Sequence, residues 1–180
     1  MIIIRGEETY DTKNNIEIEL SAPRYEDSYE WNRIAKIVAN EKKYLLVEPE
    51  KVYSIDEIEN KIKEPNDDNK FVLVARDNGK FIGNITARRN GNKKMRHTIE
   101  FGLWLSPEYR NIGIGKNMIL SMEKWGKDLK IKKACLTVFS CNDFAKNLYL
   151  KMGYEIVGIQ KNQIKIEKEY YDLIYMEKEL

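Results

Sequence analysis

The sequence predicts an α/β domain with a mixed, mostly antiparallel sheet of six or seven strands and helices on both faces. Three observations predict it. Short β-rich runs are spread along the chain and punctuated by turn signals such as Asn78-Gly79. Apolar residues recur at spacings of three and four in four separate segments, as helices with one buried side require. A glycine-containing turn, Arg110-Asn111-Ile112-Gly113-Ile114-Gly115-Lys116, stands between an apolar strand and the third of those helices.

The elements follow in order. Ile16-Glu17-Ile18-Glu19-Leu20 alternates apolar and acidic residues and reads as a strand with one buried face, ended by Pro23. Trp31, Ile34 and Val38, with Leu45 close behind, mark a first helix running to about Lys43. Ser54-Ile55-Asp56-Glu57 is a capping box, and Ile55, Ile58 and Ile62 supply the stripe of a second helix that stops before Pro65. Phe71–Ala75 and Phe81–Arg88 are the arms of a hairpin about Asn78-Gly79. Asn90-Gly91 turns the chain into a long strand from about Met95 to Leu105, in which Gly102 predicts a bulge or a close backbone approach.

The third helix carries Ile114, Met118, Met122, Trp125 and Leu129 as its core stripe. Leu136-Thr137-Val138-Phe139 reads as a buried strand. Asn142 is the N-cap of a last helix, with Phe144, Leu148 and Met152 expected to face inward and Gly153 to give the left-handed stop. Tyr154–Ile159 and Tyr171–Met176 are the closing strands.

Composition bounds the function. The 180 residues fit one domain, 1–180, without repeats, low-complexity tracts or linkers. Hydrophobic content of 42% and charged content of 33% are those of an ordinary soluble protein. No apolar run approaches the roughly 20 residues that span a membrane. The opening Met1-Ile2-Ile3-Ile4-Arg5 is too short for a signal sequence, so cytoplasm is the default location. Cys135, Cys141 and the one histidine, His97, cannot assemble a zinc site or a disulfide framework. They read as two free thiols and a strand residue near a loop, and no metal is expected.

Net charge is +2, but its distribution is uneven. From Arg24 to Lys70 there are 12 acidic and 9 basic residues, giving −3; from Phe71 to Leu180 there are 12 and 20, giving +8. A basic C-terminal part suits a partner carrying several phosphates, and an acidic N-terminal part could draw in a cationic amine. Chance variation of a solvated surface explains the difference equally well. The lysines are interspersed with acids and lack an aromatic stacking platform, which argues against nucleic acid as a partner.

Backbone N–H groups crowded at Gly113 and Gly115, a helix start, and Arg110 and Lys116 alongside make the turn a phosphate cradle. It is not a Walker A loop, because Arg110 stands where the first glycine is needed and Asn117 follows Lys116. It is not a dinucleotide fingerprint either, because Met118 occupies the third small position. The remaining pattern, R-x-x-G-x-G after a strand, resembles the acyl-coenzyme A loop of the GNAT (Gcn5-related) N-acetyltransferases. A second stretch, Asn142 to Tyr154, matches that family's N-x-x-A-x-x-x-Y-x-x-x-G-[FY] at Asn142, Ala145, Tyr149, Gly153 and Tyr154. The two motifs stand in the family's order and separation.

The resemblance implies a GNAT fold whose central strands splay to hold acetyl-CoA as acetyl donor. It implies that Arg110, Asn111, Ile112, Gly113, Ile114, Gly115 and Lys116 bind the pyrophosphate, and that Leu103, Trp104 and Leu105 pair with the pantetheine chain. A backbone N–H freed near Gly102 would meet the thioester oxygen. Asn142 and Ala145 would touch the cofactor, Tyr149 would serve as general acid, and Glu100 as base through water. An ordinary cross-strand glutamate and a core tyrosine are the competing readings of those two side chains. The pattern Gly158, Tyr171-Asp172 and Met176 resembles the branch acting on free amino acids or protein N-termini. The expected acceptor is thus a small-molecule amine or a peptide N-terminus, selected by segments such as Tyr44–Tyr53 and Lys161–Glu169, and a homodimer is left open. The alternative is a non-catalytic acyl-CoA-binding module, against which Tyr149 and Asn142 argue.

Overall fold

The periodicities above resolve into a single sheet. The computed structural model describes residues 8–11, 16–64 and 66–180; the opening Met1–Arg5 and Pro65, on which two of the readings fell, lie outside them. Among the described residues the strands are β1 (Glu8–Asp11), β2 (Glu17–Ser21), β3 (Lys70–Asp77), β4 (Lys80–Arg89), β5 (Thr98–Leu105), β6 (Lys133–Phe139), β7 (Glu155–Ile166) and β8 (Glu169–Glu179). The helices are α1 (Asp27–Asn40), α2 (Ile55–Lys63), α3 (Ile114–Asp128) and α4 (Asp143–Lys151). The sheet order is β1-β2-β3-β4-β5-β6-β8-β7. Every pairing is antiparallel except β5 with β6. Seven strands match the sequence reading, and the four-residue edge strand β1 is an addition to it.

Local chemistry sets several boundaries. Asn78 and Gly79 both take positive φ, 48° and 78°, and close the β3–β4 hairpin. Ser54 and Glu57 form the reciprocal capping box of α2. Helix α1 ends at Asn40 rather than near Lys43, because Lys42 turns left-handed at φ 56°. Strand β5 starts at Thr98 rather than near Met95, because Lys93–Met95 forms a 3-10 turn after Asn92, whose side chain accepts from Lys94 N.

The core lies mainly between the sheet and helices α3 and α4. Met118, Ile119 and Met122 are fully buried against Phe71, Leu73, Ile85, Ile99 and Leu136. Burying each such side chain stabilises by about 1.5–3 kcal/mol. The opposite face is covered by α1, where Ile34 and Val38 meet Val74 and Phe81, and Trp31 stacks on Phe81 at 5.2 Å. Arg76, 1% exposed, reaches from β3 to Asp27 at the start of α1, to Ser21, and to Glu19 at 3.1 Å. This fully hydrogen-bonded cluster pins α1 to β2 and β3.

Two expectations are overturned. Phe144 is 71% exposed instead of facing inward. The buried side of α4 is formed by Ala145, Leu148, Tyr149 and Met152, because Phe101 and Tyr154 offer their rings to Tyr149. Gly102 is neither a bulge nor a close approach: it pairs regularly with Thr86, and a Cβ there would meet nothing within 4 Å. The close approach is at Gly83, where a Cβ would stand 2.4 Å from Trp104 O, beside a bulge that interrupts the β3–β4 register. The segment Lys161–Glu169, expected to help select the acceptor, lies in the β7–β8 hairpin.

Candidate active site

The site begins where two strands part. Parallel pairing of β5 with β6 covers Thr98–Lys133, Ile99–Ala134 and Glu100–Cys135 and then stops. Strand β5 continues to Leu105 bonded to β4 alone, and β6 continues to Phe139 bonded to β8 alone. The inner edge containing Phe101, Gly102, Leu103, Trp104 and Leu105 therefore faces a gap. Backbone groups on that edge are freed by this parting, not by an irregularity at Gly102.

At the wide end of the gap lies the turn Arg110–Lys116. Asn111 and Gly113 take positive φ, 66° and 101°, and Gly113 stands at the N-cap of α3, where it has no side chain to cap with. The first helical bond is Asn117 N to Gly113 O. Among the described residues no acceptor meets the backbone N–H groups from Asn111 to Lys116. Unsatisfied donors at a helix start, with alternating backbone handedness, form a nest for an oxyanion. Gly115 is buried, and a Cβ there would stand 3.4 Å from Leu148 Cδ2 and 3.7 Å from Leu103 Cδ1. It brings α3 close to both α4 and β5.

Arg110 is committed elsewhere. Its guanidinium forks onto Glu41 at 2.9 and 2.6 Å, donates twice to Leu105 O at 3.1 and 3.0 Å, and lies 5.0 Å from the Tyr44 ring centroid. Lys116 and Asn111 are exposed, and Ile112 is half-buried. The segment after α1 also reaches the other side of the gap, where the Cys141 thiol contacts Lys43 O at 3.7 Å. Lys43 and Tyr44 enter the sequence reading only as the bounds of a helix and of a segment, and Glu41 not at all, because no local signal marks their contacts.

The two proposed catalytic groups flank the gap on opposite faces. Phe101 belongs to the α3 side of the sheet, and strand alternation puts Glu100, Gly102 and Trp104 on the α1 side. Tyr149, on the α3 side, is 6% exposed and packs edge-on against Phe101 at 6.0 Å and Tyr154 at 5.8 Å. Burial pushes its hydroxyl pKa up, so the proton is retained. No described residue hydrogen-bonds that hydroxyl, in contrast to Tyr154, whose hydroxyl donates to buried Glu123 at 3.1 Å. Glu123 also holds Lys178 at 2.8 Å through each of its oxygens. The Asn142 side chain accepts from Ala145 N at 3.2 Å, the expected cap.

Glu100 is exposed and stands opposite Arg88 on β4 and Cys135 on β6. All three line a cavity of about 290 Å³ at the narrow end of the gap, together with Arg89, Gly91 and Met95. Burial raises the thiol pKa of both Cys135 and Cys141, which keeps them protonated and poorly nucleophilic. His97 lies in the turn before β5, and its carbonyl accepts from Lys132 N and Lys133 N. Among the described residues no cluster of His, Cys, Asp and Glu is arranged to hold a metal ion. No described helix is long and apolar enough to cross a membrane.

A mixed sheet opened at its centre, with an anion nest at the head of the gap, is the architecture of an acyl-coenzyme A binding domain. Comparison with known proteins gives the family: residues 26–154 match the acetyltransferase (GNAT) family, and the chain belongs to it. The donor in that family is acetyl-CoA. The chain is 31% identical over 108 residues to the L-amino acid N-acetyltransferase AaaT of Escherichia coli (strain K12), a match covering 58% of this chain and 65% of that relative, less than two thirds of its length. A GNAT-family acetyltransferase from Streptococcus pneumoniae superposes with a TM-score of 0.83 at 25% identity, over 91% of this chain and 100% of that one. The fold is shared with yncA from Salmonella typhimurium, solved with its cofactor acetyl-CoA, at a TM-score of 0.80 and 13% identity over 90% of this chain and 93% of that one.

Proposed function

We propose that this chain is an acetyl-CoA-dependent N-acetyltransferase that moves the acetyl group directly, within a ternary complex, to a primary amine of a small molecule such as an amino acid or to a protein N-terminus. The observation that carries this reading is the gap between β5 and β6, with free N–H groups at its head and Tyr149 and Glu100 on its two faces. When bound, acetyl-CoA supplies an activated thioester carbonyl.

The chain's own residues do the rest. The N–H groups of Asn111 to Lys116 bind the pyrophosphate, with Lys116 adding charge, while Arg110 shapes the turn through Glu41 and Leu105 O. The inner edge at Leu103, Trp104 and Leu105 pairs with the pantetheine amides as a strand would. Asn142 and Ala145 border the chain from α4. A freed N–H on the β5 edge donates to the carbonyl oxygen as charge develops there; one such donor contributes about 2.7–4 kcal/mol. The amine nitrogen bonds to the acetyl carbon as the carbon–sulfur bond breaks. Glu100 takes the amine's proton through water, and Tyr149 gives a proton to the departing sulfur.

The test is thiol release from acetyl-CoA with amino acids, polyamines, aminoglycosides and N-terminal peptides as acceptors. Turnover with intersecting initial-rate lines is expected. Parallel lines would rule out direct transfer, and acetyl-CoA binding without turnover on any amine would make the chain a binding module.

A further inference from the structure

Arg88 and Glu100 stand directly opposite each other on antiparallel strands, an arrangement that ordinarily closes into an ion pair. Here it does not. Among the described residues neither side chain has a hydrogen-bond or ion-pair partner, although Arg88 is near enough to Glu64 to add to the Lys70 hydrogen bond that chiefly holds that carboxyl below its ordinary pKa. By contrast, Lys133 is spent on Glu177 at 2.7 Å and Lys70 on Glu64 at 3.0 Å. Both unspent groups line the cavity at the narrow end of the gap.

We propose that this cavity is the acceptor subsite and that Arg88 determines specificity for a free amino acid by binding its α-carboxylate while the amine faces Glu100. The inference rests on the N-acetyltransferase reading above and deepens it. Its charge follows from the lining: Arg88 and Arg89 against Glu100, the ionisable lining groups other than the neutral thiol, sum to +1. The reactive form of an amino acid, with its amine deprotonated and its carboxylate ionised, carries −1. A polyamine would instead meet the Arg88 guanidinium with no carboxylate to offer it.

Arg89 is partly committed, donating through Nε to Arg96 O at 2.5 Å, which leaves Arg88 as the free planar fork that suits a carboxylate. The cavity, about 290 Å³ and open to solvent on one side, has room for an amino acid. A peptide N-terminus has no adjacent carboxylate, because the peptide bond has consumed it. The cavity therefore separates the two acceptor classes left together above.

The experiment compares an amino acid with its own amide and with N-terminal peptides, by thiol release and by calorimetric binding to the protein saturated with CoA. The free acid is expected to exceed its amide in kcat/KM and in affinity by about 10- to 100-fold, the worth of a charged hydrogen-bonded pair. Arg88→Met should bring that ratio close to one, mainly through KM, and Arg88→Lys should restore part of it. Equal use of acid and amide by the unaltered protein, or a ratio that survives Arg88→Met, would overturn the assignment. Because binding is read separately, an absence of turnover counts against the acetyltransferase reading alone, and the acid-to-amide affinity ratio still decides the role of Arg88.

Discussion

Arg110 and Glu41, 69 residues apart in sequence, form a two-pronged ion pair that ties the end of α1 to the turn entering α3. The same guanidinium holds Leu105 O, the last carbonyl of β5. Each partner is about a quarter exposed, so the pair is partly screened. Glu41→Gln should lower stability by about 1 kcal/mol, and Arg110→Met by about 2 kcal/mol, because only the second also strips the Leu105 carbonyl of its donors. Urea unfolding of the two variants checks the order. A larger loss for Glu41→Gln would contradict it.

Gly113 sits at φ 101° with open space where a Cβ would project. Strain there is a matter of backbone conformation, at about 1–2 kcal/mol for an L-residue. Gly113→Ala should therefore weaken CoA binding by about tenfold or more as the turn rotates to relieve it, with a change in melting temperature of only a few degrees. Gly115→Ala, whose Cβ would make ordinary contact with Leu148 and Leu103, should bind CoA nearly as well. Calorimetry with CoA separates the two, and equal affinities would remove Gly113 from the nest.

The Tyr149 hydroxyl has no partner in the fold, so Tyr149→Phe should leave stability within about 0.5 kcal/mol of the parent. Turnover should fall by about 10²- to 10⁴-fold with little change in acetyl-CoA affinity. Single-turnover kinetics at saturating acetyl-CoA are the measurement. An unchanged chemical rate would make Tyr149 a packing residue.

Glu100→Gln should slow the reaction most at low pH, where the amine is protonated, and least above the amine's own pKa. With an α-amine the recovery begins near pH 8; with a lysine-like amine it is delayed to about pH 10. A uniform loss across the pH range would mean that Glu100 holds the acceptor's charge instead of taking its proton.

Tyr109 donates to Asp77 Oδ2 at 2.7 Å, and that bond is the main cause pushing its hydroxyl pKa up to about 12. The folded state favours the protonated phenol. Its contribution to stability is complete below the unfolded value of about 10 and is lost as the pH rises through 12. Tyr109→Phe should accordingly be less stable than the parent at pH 8, and the difference should shrink at pH 11. Urea titrations at the two pH values test this, and a constant difference would refute it.

What the sequence made legible was local. The Asn78-Gly79 hairpin, the Ser54–Glu57 box and the left-handed stop at Gly153 each depend on a few neighbouring residues, and all three formed as expected. The left-handed turn at Gly113 before α3 is local in the same way, although what it binds is proposed and not seen. What escaped notice depends on distant partners. In nine-residue α4 both 144/148/152 and 145/148/149/152 are valid helical stripes, and only the rings of Phe101 and Tyr154 choose between them. The Arg76–Asp27 contact spans 49 residues, and the facing of Arg88 and Glu100 is set by strand register across an eight-residue connection. The opening of the gap after Glu100 likewise comes from how β6 is drawn toward β8, which no segment of β5 encodes.

A sheet ordinarily exposes two unpaired margins; by parting after Glu100 this one gains two more in its interior, along Phe101–Leu105 and Leu136–Phe139. Such margins are templates for stray pairing with another chain. Coenzyme A bound there as proposed would act as a removable strand, completing the hydrogen bonding of the fold as well as taking part in chemistry. Amide exchange in these two segments should slow when CoA binds, while β3, already paired on both sides, should be indifferent. With the gap empty these inner margins are the places where stray pairing would start, so occupancy by coenzyme would also guard the fold against self-association.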